Sequence, residues 1–202
     1  MSIATTVDPV AEFVVIAVLV CWFLFALAFI LRRPSPKASV AKRRPRAMIG
    51  IALQGVAYFL VWFRPFQRPL YTPLVAMPRW AEVVMAVVTL AIAIASIWLA
   101  GSAVRRLGKQ WAIAAQIVEG HNLITDGPYR LVRNPIYSGM FGMLIATGLA
   151  ASRWYVLLVA TLIFLVGAYI RIHAEERLLR EAFGSEFEVY AQRVPALIPG
   201  IY

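Results

Sequence analysis

Five stretches of the chain carry no charged side chain: Phe13–Leu31, Ala47–Phe63, Val83–Val104, Ile136–Ser152 and Trp154–Ile170. Each is 17 to 22 residues long, close to the roughly 20 apolar residues that an α-helix needs to cross the hydrocarbon core. Alternation of period two is absent, so barrel strands do not fit. A spanning segment must satisfy its own backbone, which leaves helix as the assignment for all five. The pattern predicts an all-α integral membrane protein of about five transmembrane helices. Asp8 and Glu12 stand before the first run, where a cleavable leader would carry basic residues. That run is read as a true span.

The polar positions between the runs set an orientation. Seven Lys and Arg fall in residues 32–46, five in 105–135 and four from 171 onward. The other side receives three in 64–82 and one at Arg153. Sixteen against four predicts the N-terminus outside and the C-terminus in the cytoplasm. A bacterial or archaeal type of inner membrane is the expected setting. Only Ser152 and Arg153 separate the last two runs, so these should form a tight antiparallel hairpin. No second, soluble domain is evident.

Composition strengthens this picture. Of 202 residues, 61% are hydrophobic and 15% charged, against roughly 25% charged in an ordinary soluble domain. Mean hydropathy is +0.75. The net charge of +10 matches basic loops on an anionic membrane surface, and a nucleic-acid partner is not expected. Cys21 is the single cysteine, which excludes an intramolecular disulfide and a cysteine metal site.

The remaining polar groups concentrate in two segments that flank the terminal hairpin. One runs from Gly120 to Tyr137; the other runs from Arg171 through His173, Glu175 and Glu176 to Gly184. The hairpin should bring them together at the cytoplasmic surface. Several members have plain structural roles. Asn134-Pro135 is a helix start, and Asp126-Gly127-Pro128 is a turn. Arg130 suits a membrane anchor, and Tyr129 and Tyr137 suit an interfacial belt. Trp62, Trp80 and Trp154 are stronger belt residues. Glu175 and Glu176 are adjacent in a helix and so point about 100° apart. They must face different surroundings. Nucleotide-binding glycine motifs, HExxH and GxSxG are absent, and two histidines in separate segments do not predict a metal.

The run His121-x-Leu123-Ile124-x-x-Gly127-Pro128-Tyr129-x-x-x-Arg133-Asn134-Pro135-x-Tyr137 resembles the signature of the isoprenylcysteine carboxyl methyltransferase family. That family belongs to a wider group with the phospholipid methyltransferases. Arg171, Glu175-Glu176, Phe183-Gly184, Tyr190 and Arg193-Val194-Pro195 follow in the family's order, and Leu107-Gly108-x-x-Trp111 precedes. The likeness covers residues 105–202, which it marks as a cofactor-binding region with the last two spans, after three N-terminal spans in 1–104. Asn134 stands where many members carry histidine, so an acid–base role there does not transfer.

The resemblance implies S-adenosylmethionine as methyl donor in a cytoplasmic pocket, and a lipophilic or lipidated acceptor reaching it from the membrane. His121, Leu123, Gly127, Tyr129, Arg133, Asn134, Tyr137 and Glu175 are then the expected cofactor-binding residues, with Arg171 and Glu176 catalytic. Arg133 suits the donor's carboxylate, and a glutamate suits its ribose or ammonium. Glu175 is expected nearer those groups and Glu176 nearer the transferred methyl. Tyr129 and Tyr137 suit the sulfonium. Arg171 could hold an acceptor carboxylate; an amine or thiol acceptor would instead need Glu176 or His173 as base. The alternatives are a phospholipid amine or small-thiol methyltransferase and, from another class, a non-catalytic transport or assembly protein. Gln54 and a few Ser and Thr are the only polar side chains within the runs, which counts against transport.

Overall fold

A computed structural model describes residues 8–31, 45–69, 72–108 and 123–201. The chain forms α1 (Pro9–Ile30), α2 (Pro45–Trp62), α3 (Arg79–Leu107), α4 (Pro135–Ala151), α5 (Trp154–Phe183) and α6 (Ser185–Arg193). Short 3-10 turns cover Arg64–Phe66 and Gly127–Arg130. Each uncharged run lies within a helix or overruns its end by a residue. Among the described residues, α1, α3 and α5 are long and apolar enough to cross a membrane, while the apolar parts of α2 and α4 are shorter. Large apolar side chains such as Phe23, Val87, Ile94 and Leu162 are exposed on these helices, as a lipid-facing surface requires.

Local chemistry fixes the ends. Asp8 caps α1 by accepting from the Val10 N–H at 3.1 Å, ahead of Pro9 at the first helical position. Gly184, at φ +51°, ends α5 in the left-handed region and turns the chain into α6.

The terminal hairpin packs differently from the expectation. Ser152 and Arg153 do join α4 to α5, and the two helices touch. Yet α5 packs most extensively on α2, and α4 on α3. Small residues explain the partners. A Cβ on Gly50 would stand 2.7 Å from the Gly167 carbonyl oxygen, and a Cβ on Gly167 would stand 2.8 Å from that of Gly50. Likewise a Cβ on Gly139 would meet the Ala100 side chain and the Ser96 carbonyl at 2.8 Å. Backbones can approach this closely only where side chains vanish, and in lipid such contact drives helix association. Phe164, Leu144, Ala57 and Val61 fill the centre of the resulting core.

At 30 residues, α5 is about 45 Å long, more than the roughly 30 Å hydrocarbon core. Its uncharged part ends at Ile170. The three turns beyond carry Arg171, Glu175 and Glu176 past the apolar bundle. The start of α4, the end of α5 and α6 all meet at this end, which carries most of the described arginines.

Candidate functional site

The Gly127–Arg130 turn delivers the first segment. Gly127 takes φ +60°, a left-handed value that glycine adopts without strain, and the turn buries Pro128 and Tyr129. Arg106 of α3 pairs with Asp126 and fastens the turn from below. Asn134 occupies the N-cap of α4, but its side chain makes no cap bond. Instead its Nδ2 donates to Glu176 Oε1 at 3.3 Å and to the Ala196 carbonyl at 3.0 Å.

Glu176 is the centre of the site. It is 5% exposed and accepts from Arg133 Nε at 2.8 Å and from Arg180 Nη2 at 3.4 Å. Arg133 also donates through Nη1 to the carbonyls of Ala191 and Val194. The backbone N–H groups of Arg133 and Asn134 donate to Pro195 and Ala196 at 2.8 and 3.1 Å. The C-terminal tail is thus strapped across the start of α4. Three of the five guanidinium N–H groups of Arg133 are engaged in these bonds, and the two on Nη2 make none among the described residues.

Beside this pair lies a small cavity that is partly open to the surface. Leu123, Tyr129, Arg133, Asn134 and Glu176 line it together with Leu107, Ile124, Leu179, Phe187 and Tyr190. Tyr190 donates its hydroxyl to the Tyr129 carbonyl at 2.7 Å. Burial pushes both tyrosine hydroxyls above the usual phenol range, so each stays protonated.

Glu175 faces elsewhere, as the helical angle requires. Its carboxylate accepts from the Tyr137 hydroxyl and lies 3.8 Å from Arg171 Nη2. The guanidinium of Arg171 rests 4.7 Å from the centre of the Tyr137 ring and donates through Nη1 to Gln54 Oε1 at 2.9 Å. Arg171 is 8% exposed and Gln54 is 2% exposed. This second cluster sits against α2, toward the apolar bundle.

The expected residues therefore divide. Leu123, Tyr129, Arg133, Asn134 and Glu176 share the cavity; Tyr137, Arg171 and Glu175 form the adjoining cluster. Gly127 shapes the turn. His121 lies outside the described residues. His173 is exposed, with Nδ1 3.0 Å from the Tyr169 carbonyl oxygen and its ring on that of Tyr169. Arg130 is exposed, as an anchor would be. Three contributors are absent from the residues expected at the site. Gln54 had a signal, an amide buried in an apolar helix. Leu179 and Phe187 had none beyond helical periodicity.

A carboxylate, a guanidinium, two phenols and apolar walls suit a small ligand that carries charges at one end and a flat ring at the other. Among the described residues, no three His, Cys, Asp or Glu side chains gather to hold a metal ion.

The phospholipid methyltransferase family model matches residues 84–186. A probable protein-S-isoprenylcysteine O-methyltransferase of Oryza sativa subsp. indica is 40% identical over 81 residues, 40% of this chain and 42% of that protein. The protein-S-isoprenylcysteine O-methyltransferase of Schizosaccharomyces pombe is 32% identical over 104 residues, 50% of this chain and 44% of its own. The cobalt-zinc-cadmium resistance protein CzcN of Cupriavidus metallidurans is 32% identical over 100 residues, 49% and 46% of the two chains. The matches span less than half the length of these relatives. The solved structure of the eukaryotic intramembrane Ras methyltransferase, isoprenylcysteine carboxyl methyltransferase, superposes with a TM-score of 0.62 at 23% identity. It covers 96% of this chain and 69% of that one, which establishes a shared fold. With more than half of its residues inside the family match, the chain belongs to the phospholipid methyltransferase family, and isoprenylcysteine O-methyltransferases are among its relatives.

Proposed function

We propose that this chain is an integral membrane methyltransferase that uses S-adenosylmethionine and acts on a lipophilic, membrane-borne acceptor. The observation that carries the reading is the Arg133–Glu176 pair beside its cavity, one helical step from the Arg171–Glu175–Tyr137–Gln54 cluster on the bilayer side. One helix turn thus offers two polar surfaces, one toward the cavity and one toward the apolar helices.

Glu176 would take the donor's ammonium or ribose hydroxyls, and Nη2 of Arg133 its carboxylate. Leu107, Leu179 and Phe187 would enclose the adenine. This arrangement exchanges the expected duties of the two glutamates: Glu176 serves the donor and Glu175 stands nearer the acceptor. The donor, when bound, supplies a methyl group on a positively charged sulfur. The protein's part is positioning and exclusion of water, which can account for a large share of the rate in a displacement of this kind.

The relatives are named for isoprenylcysteine, and an acceptor carboxylate fits Arg171. Its planar fork is held by Gln54 and Tyr137 at the edge of the apolar bundle. A carboxylate acceptor needs no general base. The four-residue cluster supports this reading over an amine or thiol acceptor, because His173 points away from it and Glu175 is engaged with Tyr137 and Arg171.

Residues 105–202 would carry the donor site and 1–104 three further spans, with Gln54 reaching from these to the acceptor side. Five spans with the arginine-rich end in the cytoplasm would let the soluble donor and a membrane-borne acceptor arrive from different phases. Radiolabelled methyl transfer from S-adenosylmethionine to prenylcysteine analogues, extracted lipids and small thiols tests the proposal. Label is expected in the prenylcysteine fraction as a base-labile ester. Label in the amine lipid or thiol fraction instead would reject the carboxylate acceptor.

A further inference from the structure

The opposite end of the bundle holds a second, open-mouthed pocket with polar residues in its wall, between the starts of α1 and α3 and the end of α4. Asp8, Arg68, Glu82 and Thr89 line it, and most of the rest of its wall is apolar. Arg68 belongs to the α2–α3 connection. Its backbone N–H donates to the Ala151 carbonyl at 3.0 Å and its Nη2 to the Leu149 carbonyl at 2.7 Å. These bonds satisfy carbonyls that the end of α4 would leave open. Arg68 is also one of the residues that line the pocket. Its Nε and Nη1 are buried and have no partner among the described residues. Burial pushes Arg68 down to about 10, so it is still cationic at neutral pH.

Asp8 poses the complementary need. Its Oδ1 caps α1 and receives Arg79, while its Oδ2 is buried without a partner among the described residues. Arg79 pairs with Glu82 as well. Two cations and two carboxylates therefore balance around the cavity. A buried polar atom of a charged group that lacks a hydrogen bond is costly, even where its other atoms are bonded. A ligand that relieves both must bring an anion to Arg68 and an N–H donor to Asp8 and leave the net charge unchanged.

The depth identifies the source of such a ligand. Trp62, Trp80 and Trp154 are exposed around this same end, and exposed tryptophans mark the head-group level of a bilayer. Below them Phe13, Ile16, Val84 and Val87 present exposed apolar side chains on α1 and α3, a surface for acyl chains.

We propose that this cavity binds the head group of a zwitterionic aminophospholipid, its phosphodiester on the Nε and Nη1 of Arg68 and its ammonium on Oδ2 of Asp8. The site lies across the bundle from the methyl-transfer site and does not depend on that reaction.

Native mass spectrometry of the delipidated, detergent-purified full chain tests it, with phosphatidylethanolamine, phosphatidylcholine, phosphatidylglycerol and inorganic phosphate as probes. Asp8→Asn keeps an oxygen for the α1 cap but replaces the cavity's acceptor with a donor. The wild-type chain is expected to retain phosphatidylethanolamine over the other lipids. Asp8→Asn should lower that retention at least about tenfold, the value of one charge-assisted hydrogen bond. Arg68→Gln should lower retention of every phospholipid, and should this variant not fold, Asp8→Asn still decides. Unchanged donor binding reports that the variants are intact. Equal retention of phosphatidylethanolamine by wild type and Asp8→Asn, equal retention of phosphatidylcholine, binding of inorganic phosphate alone, or no lipid retained would each overturn the proposal.

Discussion

Arg171 of α5 donates to the Oε1 of Gln54 on α2 at 2.9 Å, at a point where both side chains are buried. The bond links the first half of the chain to the signature-bearing half. It is reachable because Gly50, one turn before Gln54, leaves room: a Cβ there would stand 2.5 Å from Arg171 Cγ. If Arg171 holds the acceptor, Gln54 is a positioning residue. Gln54→Leu is expected to raise the KM for acceptor about fivefold or more, the scale of one buried hydrogen bond, and to leave donor affinity within about twofold. Steady-state kinetics with donor and acceptor varied separately checks this.

Arg171→Lys separates recognition from anchoring. A lysine can snorkel to the phosphates as well as arginine, but it lacks the planar fork. Folded protein with near-normal donor binding and methyl transfer lowered at least about tenfold is expected, equivalent to about 1.4 kcal/mol of transition-state stabilisation. Full activity would leave Arg171 as an interfacial anchor.

The two glutamates should behave differently. Glu176→Gln removes the charge opposite Arg133 and faces the cavity; donor affinity should fall on the order of 10- to 150-fold. Glu175→Gln keeps a side chain that can bond Tyr137 and Arg171, and should lower turnover more than donor affinity. Binding isotherms and kcat for both variants make the comparison. Changes below about twofold in both would place the glutamates on an inert surface.

Close approach of α2 and α5 predicts a stability cost far from any chemistry. Gly167→Ala sets a methyl 2.8 Å from the Gly50 carbonyl oxygen and 3.0 Å from Leu53 Cβ, neither of which can move alone. Overpacking of this kind costs about 1–3 kcal/mol. The thermal midpoint in detergent should fall, while Gly55→Ala, whose Cβ would meet open space, should not lower it.

Much of this was legible in the sequence because the lipid phase imposes simple rules. The five helices follow from uncharged runs, since every buried backbone group must bond within its own helix. The opposed faces of Glu175 and Glu176 follow from helical geometry alone. Which glutamate faces the cavity does not, because that depends on how far α5 is rotated against α2, a consequence of Gly50 and Gly167. Asn134-Pro135 reads as a helix start and does begin α4, yet the Asn134 side chain serves Glu176 and the tail carbonyl of Ala196. Its pull comes from residues more than 40 positions away. The strap of Arg133 across Ala191 and Val194 was illegible for the same reason. Arg68 read as one basic residue of an outer loop, and its burial emerges only when the end of α4 is in place.

The most direct measurement is calorimetric titration of the purified chain with S-adenosylmethionine, in parallel with Glu176→Gln. Saturable binding at one site per chain, weakened at least about tenfold in the variant, is the expected result. No heat of binding at millimolar donor, or equal binding by both proteins, would contradict the assignment of the Arg133–Glu176 cavity as the donor site.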